Sequence, residues 1–214
     1  MSLNLEKQLP FYGAYHHNTV GSDSTEPSHA TTNNVVVKVN TGVHIACVPA
    51  ILMTFLLLLT NTPSVPLPPW LSVPHLPLNG GTVAAVLFSL LYILMEPVAG
   101  AMLAPLLIGG TAYAYHLTST YGTTANYWAG GINGACWIAQ FVGHGKFEGR
   151  APALLDNLVQ ALFLAPFFVW FEILFFLGYR PDLKHRVDKA IAQEVQKFKA
   201  SKEKGAKVAA NGSK

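Results

Sequence analysis

The feature that most constrains this chain is the stretch from residue 39 to residue 145, in which Glu96 is the only acidic or basic side chain. Charged residues make up 12% of the 214 residues, whereas soluble globular proteins carry roughly 25%. Hydrophobic residues make up 51%, and the mean hydropathy is +0.33. We therefore predict an all-α, polytopic membrane protein rather than a soluble domain.

Four apolar segments are candidates for membrane spans, and they cover residues 43–60, 81–115, 132–142 and 154–178. The second segment is too long for one span, which needs about 20 residues, and it contains Glu96-Pro97 near its middle. A carboxylate at the bilayer centre would cost about 2.5–3.5 kcal/mol, so we expect a hairpin with Glu96 at its turn. This gives five transmembrane helices, or four if 81–115 is partly re-entrant.

Three polar or proline-rich segments are predicted to connect these helices. Residues 62–78 contain six of the fourteen prolines, and because proline cannot donate to a helix we expect a rigid, extended loop. The polar insert at 19–39 shows no apolar period and predicts a loop or disorder. The glycine-containing stretch at 121–131 predicts a polar turn.

The C-terminal part of the chain is basic. Ten of the fourteen lysines and arginines lie from Arg180 onward, against four acids there, and basic flanks of a span stay cytosolic. Apolar residues recur about every four positions over 182–204, which predicts an amphipathic helix, either on the anionic cytosolic leaflet or in solvent. We thus expect a membrane-embedded catalytic domain at 1–178 and a basic cytosolic tail at 179–214.

Ionisable groups crowd together between the last two apolar segments. They are His144, Lys146, Glu148, Arg150 and Asp156, and they fall within thirteen residues. A dense polar cluster between apolar segments is typical of a site at a membrane face.

Histidines elsewhere could share that face. His44 opens the first apolar segment and His144 closes another, and four crossings between them would bring both to one side of the membrane. His16 joins them if the N-terminal segment lies where the first span begins.

Neutral imidazole suits first-row metals such as Fe(II) and Zn, and histidines with one carboxylate form the ligand set of non-haem Fe(II) oxygenases. Glu148 lies four residues after His144, so a continuing helix would place both on one face. Spacing alone leaves the alternative open that these are structural histidines at a membrane interface.

The order of several motifs resembles the membrane 2-hydroxy fatty acid dioxygenase family, whose fungal member acts in phytosphingosine breakdown at the endoplasmic reticulum. The resemblance covers the N-terminal motif and nearly all of 137–178. The residues that carry it are Phe11, Tyr12, Tyr15, His16, His17 and Asn18, then Asn40, His44, Val48 and Pro49, then Gln140, Phe141, Gly143, His144, Phe147, Glu148, Arg150, Pro152, Ala153, Leu154, Asp156, Asn157, Leu158, Gln160, Leu164, Ala165, Pro166 and Glu172.

The resemblance implies an Fe(II)-dependent dioxygenase that uses O₂ to shorten a long-chain 2-hydroxy fatty acid by one carbon. By motif position, His16, His44 and His144 would be the iron ligands. It further implies a multi-pass protein of the endoplasmic reticulum membrane that works in the lipid bilayer, and we expect no nucleic-acid partner.

Three further residues are candidates for catalytic roles. Arg150, or Lys146 in its place, could pair with the substrate carboxylate, although a basic flank of a span is an equal alternative. Asp156 could orient a histidine N–H or cap the last helix, and Glu148 could reach the metal.

Two other classes of protein were weighed. Fatty acid hydroxylases and desaturases use two irons and clustered HxxHH boxes, and the sequence contains no such box. A non-enzymatic transporter or scaffold would predict charges along a path through the membrane, for which only Glu96 and Glu172 are candidates.

Overall fold

The computed structural model describes the backbone of residues 27–143, 158–193 and 196, and the side chains of residues 41–143, 162–193 and 196. Helices form the fold over these residues. No strand occurs in these residues, which confirms the all-α class. The helices are α1 (Pro27–Leu59), α2 (Gly80–Met95), α3 (Pro97–Tyr121), α4 (Thr123–Gly143), α5 (Leu158–Phe176) and α6 (Pro181–Gln193).

Helix α1 contains the first expected span, which the structure places at Thr41–Leu59. The helix begins earlier, at Pro27, so the prediction of a loop over 19–39 is wrong for residues 27–39. Extending an existing helix by one residue is far easier than nucleating a new one, and proline is favourable in a first helical turn. The apolar span therefore extends into a polar stretch that has no helical pattern of its own.

Helices α2 and α3 form the hairpin expected at Glu96-Pro97. Glu96 ends α2 and is also the N-cap of α3, where its carboxylate accepts a hydrogen bond from the Ala99 amide at 2.5 Å. The two helices approach so closely that a Cβ atom added to Gly100 would lie 2.4 Å from the backbone of Tyr92 and Ile93. The hairpin thus rests on a carboxylate cap and a backbone contact that only glycine permits.

The connection between α3 and α4 is much tighter than the predicted turn over 121–131. Gly122 alone ends α3, with φ at +52°, and α4 is helical from Thr123. Glycine adopts positive φ without steric cost, so one residue suffices to reverse the chain. The prediction was wrong because Asn126, a turn-like residue in the sequence, lies within α4, where its side chain bonds to Asn61, two residues beyond the end of α1.

Helix α5 packs against the α2–α3 hairpin through aromatic side chains. The rings of Tyr92 and Phe167 stack with centroids 4.6 Å apart, the Tyr92 hydroxyl donates to the Phe163 carbonyl at 3.0 Å, and the Trp170 indole donates to the Ala99 carbonyl at 3.0 Å. These contacts fix α5 beside the end of the hairpin at which Glu96 lies.

Helix α6 follows α5 at a bend of 120°. It confirms the expected helix after Arg180 over its described residues. Leu183 and Val187 are buried, 2% and 7% exposed, in the same hydrophobic cluster as residues of α2 and α5. At least two apolar residues of α6 therefore pack on the rest of the protein.

Two described helices are long and apolar enough to cross a membrane, Thr41–Leu59 and Pro97–Tyr121, and the bent pair formed by α5 and α6 makes a third if it is one span. The expected number of four to five is thus not confirmed. Helix α2 has 16 residues, about 24 Å at 1.5 Å per residue, which is short of the roughly 30 Å hydrocarbon core.

The bundle has two distinguishable ends. We call one the Trp70 end, because the proline loop at 60–79 lies there together with the paired residues Thr60, Asn79 and Thr118. We call the other the His44 end, at which the hairpin turn at Glu96 and the C-terminus of α4 at Gly143 also lie.

Candidate functional site

A line of polar contacts joins α1 and α4, and we call it the polar seam. Each contact lies about two turns or less from the next, and the two helices run antiparallel. The contacts are the two hydrogen bonds between the amides of Asn61 and Asn126, both 3.0 Å, the bonds from Asn133 to Thr54 Oγ1 at 2.8 Å and to the Ile51 carbonyl at 3.2 Å, and the side-chain interaction of Cys47 with Cys136.

The seam sets the register of the two helices. Asn61 opposes Asn126 and Thr54 opposes Asn133, so the two residue numbers sum to 187 in each pair. Toward the His44 end, Cys47 interacts with Cys136, about one turn before the position that this register predicts. The same register, extended, brings Gln140 to the level of Cys47 and Gly143 to the level of His44. Both His44, 5% exposed, and Gly143 are buried, as this register requires.

His44 is therefore an interior residue of the α1–α4 pair rather than a histidine at the protein surface. It lies near the N-terminal end of the Thr41–Leu59 span, and its ring takes part in interactions within the protein. Histidine is often only partly buried, so an imidazole held at the end of a line of polar pairs is a strong candidate for a functional group.

Gln140 follows Asn126 and Asn133 at the same seven-residue spacing, but it does not contribute to the contacts that define the seam. It is 6% exposed, and neither its amide nitrogen nor its amide oxygen has a hydrogen-bond partner among the described residues. Leaving a buried polar group unsatisfied costs about 1–3 kcal/mol, and such groups are rare in native structures. The sequence motif included Gln140 without assigning it a role, and only the burial of its unpaired amide marks it as a functional candidate.

The spacing of seam residues is a signal that sequence reasoning could have used. Residues 47, 54 and 61 are seven apart, as are Asn126, Asn133 and Gln140. A seven-residue repeat keeps one face of each helix toward its partner. These residues are small or polar, so their repeat does not appear in a pattern of apolar residues.

A second group of polar residues at the His44 end is structural. Glu96 pairs with Arg180, Nη1 to Oε1 at 3.0 Å, and accepts a hydrogen bond from the Tyr179 hydroxyl at 3.3 Å. Burial, and next the Glu96 carboxylate, raise the pKa of the Tyr179 phenol, while Arg180 opposes this. Because Glu96 is committed to an ion pair and a helix cap, it does not support the transporter reading.

Of the predicted site residues, His44 alone lies within the described part of the chain. His16, His144, Glu148, Arg150 and Asp156 lie outside the described residues. Within the described residues, no group of three or more histidine, cysteine, aspartate or glutamate side chains could hold a metal ion.

Two other histidines meet at the Trp70 end. The rings of His75 and His116 contact each other edge to face, with centroids 5.3 Å apart, and Tyr113 lies beside His116. The sequence assigned neither histidine a role, and the ring contact gives them a packing function.

The chain is similar to known proteins over most of its length. The Mpo1-like family, described as 2-hydroxy-palmitic acid dioxygenase Mpo1-like, matches residues 28–177, a range that includes His44, His144, Glu148, Arg150 and Asp156 but not His16. A relative from Saccharomyces cerevisiae, the 2-hydroxy-palmitic acid dioxygenase MPO1, is 36% identical over 185 residues, which cover 85% of this chain and 86% of the relative. No solved structure matches the chain significantly.

Proposed function

The chain belongs to the Mpo1-like family of 2-hydroxy-palmitic acid dioxygenases, and from this premise we propose that it is an Fe(II)-dependent dioxygenase that shortens long-chain 2-hydroxy fatty acids by one carbon. Its site lies at the His44 end of the polar seam. The observation that carries this placement is that His44 and Gly143 are both buried at this end.

The register supports a shared site for two of the proposed iron ligands. His144 follows Gly143 directly in the sequence, and consecutive Cα atoms are 3.8 Å apart. Gly143 is the residue that the register brings to the level of His44, and the covalent link between Gly143 and His144 is what supports a shared site. His16 is proposed as the third ligand on the family resemblance alone.

The donor set fits a ferrous ion, since neutral imidazole is a suitable ligand for it, and His44 is a buried imidazole at the end of a polar line. When bound, iron would supply the O₂ chemistry that organic side chains lack. The chain's own groups would bind and orient the substrate. We assign Arg150 to the carboxylate, Asp156 to a histidine N–H, and Glu148 to the metal or to the substrate hydroxyl.

The proposed reaction balances without a further reductant. A 2-hydroxy acid and O₂ yield the acid one carbon shorter, carbon dioxide and water. The bond between the carboxyl carbon and the hydroxyl-bearing carbon breaks. These two carbons give up four electrons in total, and O₂ accepts all four.

We propose that the chain crosses the endoplasmic reticulum membrane four or five times. Helices α2 and α4 join the same two ends of the bundle as the apolar helices α1 and α3, which supports crossings by all four. Arg180 lies at the His44 end, bonded to Glu96, and precedes the basic C-terminal residues. Because basic flanks are retained in the cytosol, the His44 end and its site would face the cytosol.

The experiment that tests this function is lipid analysis of the purified protein supplied with 2-hydroxypalmitate, O₂ and Fe(II). We expect the fifteen-carbon fatty acid and carbon dioxide in equal amounts, and we expect His144→Ala to abolish both. Absence of the product, or equal yields from wild type and His144→Ala, would refute the dioxygenase proposal. His16→Ala tests the third ligand separately, because unchanged iron content would remove it from the set.

A further inference from the structure

We propose that Gln140 binds the 2-hydroxycarboxylate head of the substrate and distinguishes it from an unhydroxylated fatty acid. This inference rests on the proposed function and names a residue that contacts the same ligand. Its starting point is the polar seam, in which Asn126 bonds to Asn61, two residues beyond the end of α1, and Asn133 bonds to Thr54 of α1. Gln140 is the next residue in that seven-residue series and is buried without a partner among the described residues.

The position of Gln140 agrees with a role at the head of the ligand. It lies one helical turn before Gly143, the last residue of α4, and the register places it at the level of Cys47, about one turn from the level of His44. An amide that served only to join α1 and α4 would be paired, as that of Asn133 is. An amide that waits for a ligand is unpaired in the ligand-free protein.

The chemistry of the amide matches that of a 2-hydroxy acid. The Gln140 nitrogen can donate two hydrogen bonds and the oxygen can accept. A 2-hydroxycarboxylate offers an acceptor oxygen and, on the adjacent carbon, a hydroxyl that donates. A neutral amide can satisfy both without adding a charge to an apolar interior, where an unpaired charge is costly.

Discrimination follows from the same pairing. A site that hydrogen-bonds a substrate hydroxyl rejects the analogue without it, because the polar group of the protein is then left buried and unpaired. We therefore expect the protein to prefer 2-hydroxypalmitate to palmitate through Gln140. A structural amide would confer no such preference.

The test compares Gln140→Met with Asn133→Leu, two substitutions that replace a seam amide by an apolar side chain of similar size. Without ligand, Gln140→Met is expected to raise the midpoint of thermal unfolding by a few degrees, because it removes an unsatisfied group. Asn133→Leu is expected to lower the midpoint, since it breaks two bonds to α1. A lowered midpoint in Gln140→Met, or its failure to fold, would overturn the inference.

Ligand binding supplies the second readout and does not depend on turnover. In wild type, 2-hydroxypalmitate should raise the unfolding midpoint more than palmitate does. In Gln140→Met this difference should vanish, and KM for 2-hydroxypalmitate should rise about tenfold or more, while Asn133→Leu keeps both within about twofold of wild type.

The outcomes separate the two proposals. If wild type prefers the hydroxylated acid and Gln140→Met retains the full preference, Gln140 is not the binding residue, although the proposed function stands. If wild type itself does not distinguish the two acids, the proposed substrate is wrong and the inference about Gln140 falls with it.

Discussion

The two ends of the bundle carry similar polar residues but use them differently. At the Trp70 end the polar groups pair with one another, as Asn79 does with the Thr60 carbonyl and Thr60 with Thr118. At the His44 end, Gln140 is buried without a hydrogen-bond partner among the described residues, and His44 is buried as well. The difference distinguishes polar groups that are committed to packing from one that is still able to bind a ligand.

The largest expected difference between the ends is in catalysis. Loss of an outer-shell partner of a metal ligand typically reduces affinity or activity by about 10–100-fold. His44→Ala removes a proposed ligand itself, so it should reduce product formation by at least about 100-fold. His116→Ala at the Trp70 end should remain within about twofold of wild type. The measurement is the amount of product that each variant forms from 2-hydroxypalmitate, with the two variants at the same concentration of folded protein. Comparable losses in both would show that the ends are not functionally distinct.

The next largest effect concerns the hairpin that places Glu96 at the His44 end. Gly100→Ala should destabilise the protein by about 3 kcal/mol, because its Cβ would lie 2.4 Å from the α2 backbone, a close contact that packing cannot relieve easily. Gly109→Ala, in the same helix but with nothing within 4 Å of an added Cβ, should be stabilising by about 0.5–1 kcal/mol. Chemical denaturation in detergent measures the free energy of unfolding of both variants. Equal changes in the two variants would contradict the close approach of α2 and α3.

A smaller effect is expected from the ion pair that ties α5 and α6 to the hairpin. Glu96→Gln should cost about 1–2 kcal/mol, since a largely buried carboxylate loses its partner but Arg180 is half exposed. The matched control is Lys184→Gln, which removes the exposed pair with Asp188 and should change stability by less than about 0.5 kcal/mol. Thermal unfolding distinguishes them, and an Lys184→Gln effect as large as that of Glu96→Gln would show that the buried pair has no special role.

The smallest effect is expected in the proline loop. Trp70 is 81% exposed, and tryptophan at such a position favours a membrane interface. Trp70→Ala should leave KM and turnover within about twofold of wild type, because the loop lies at the end opposite to His44. A tenfold change in KM would indicate that the substrate contacts the Trp70 end.

The sequence predicted the elements that local chemistry determines. The absence of charge marked the first span, Glu96-Pro97 marked the hairpin, and the prolines of 62–78 marked the loop. What it did not predict depends on contacts between distant residues. Residues 27–39 are helical because they extend a span, and α4 begins directly after Gly122 because one glycine reverses the chain.

The candidate site also combines a residue that the sequence identified with a feature that depends on contacts between distant residues. The motif singled out His44 from sequence alone, and the structure adds that both His44 and Gly143 are buried. The unpaired state of Gln140 was not predictable, since it depends on which α1 residues oppose α4. The roles of His16, His144, Glu148, Arg150 and Asp156 stay predictions.

The central claim is that the metal site lies at the His44 end, and iron binding tests it most directly. Wild type, His44→Ala and His116→Ala would be loaded with ferrous ion without oxygen, freed of unbound metal and analysed for iron per folded chain. We predict about one iron in wild type and in His116→Ala, and almost none in His44→Ala. Full iron content in His44→Ala, or its loss in His116→Ala alone, would contradict the account.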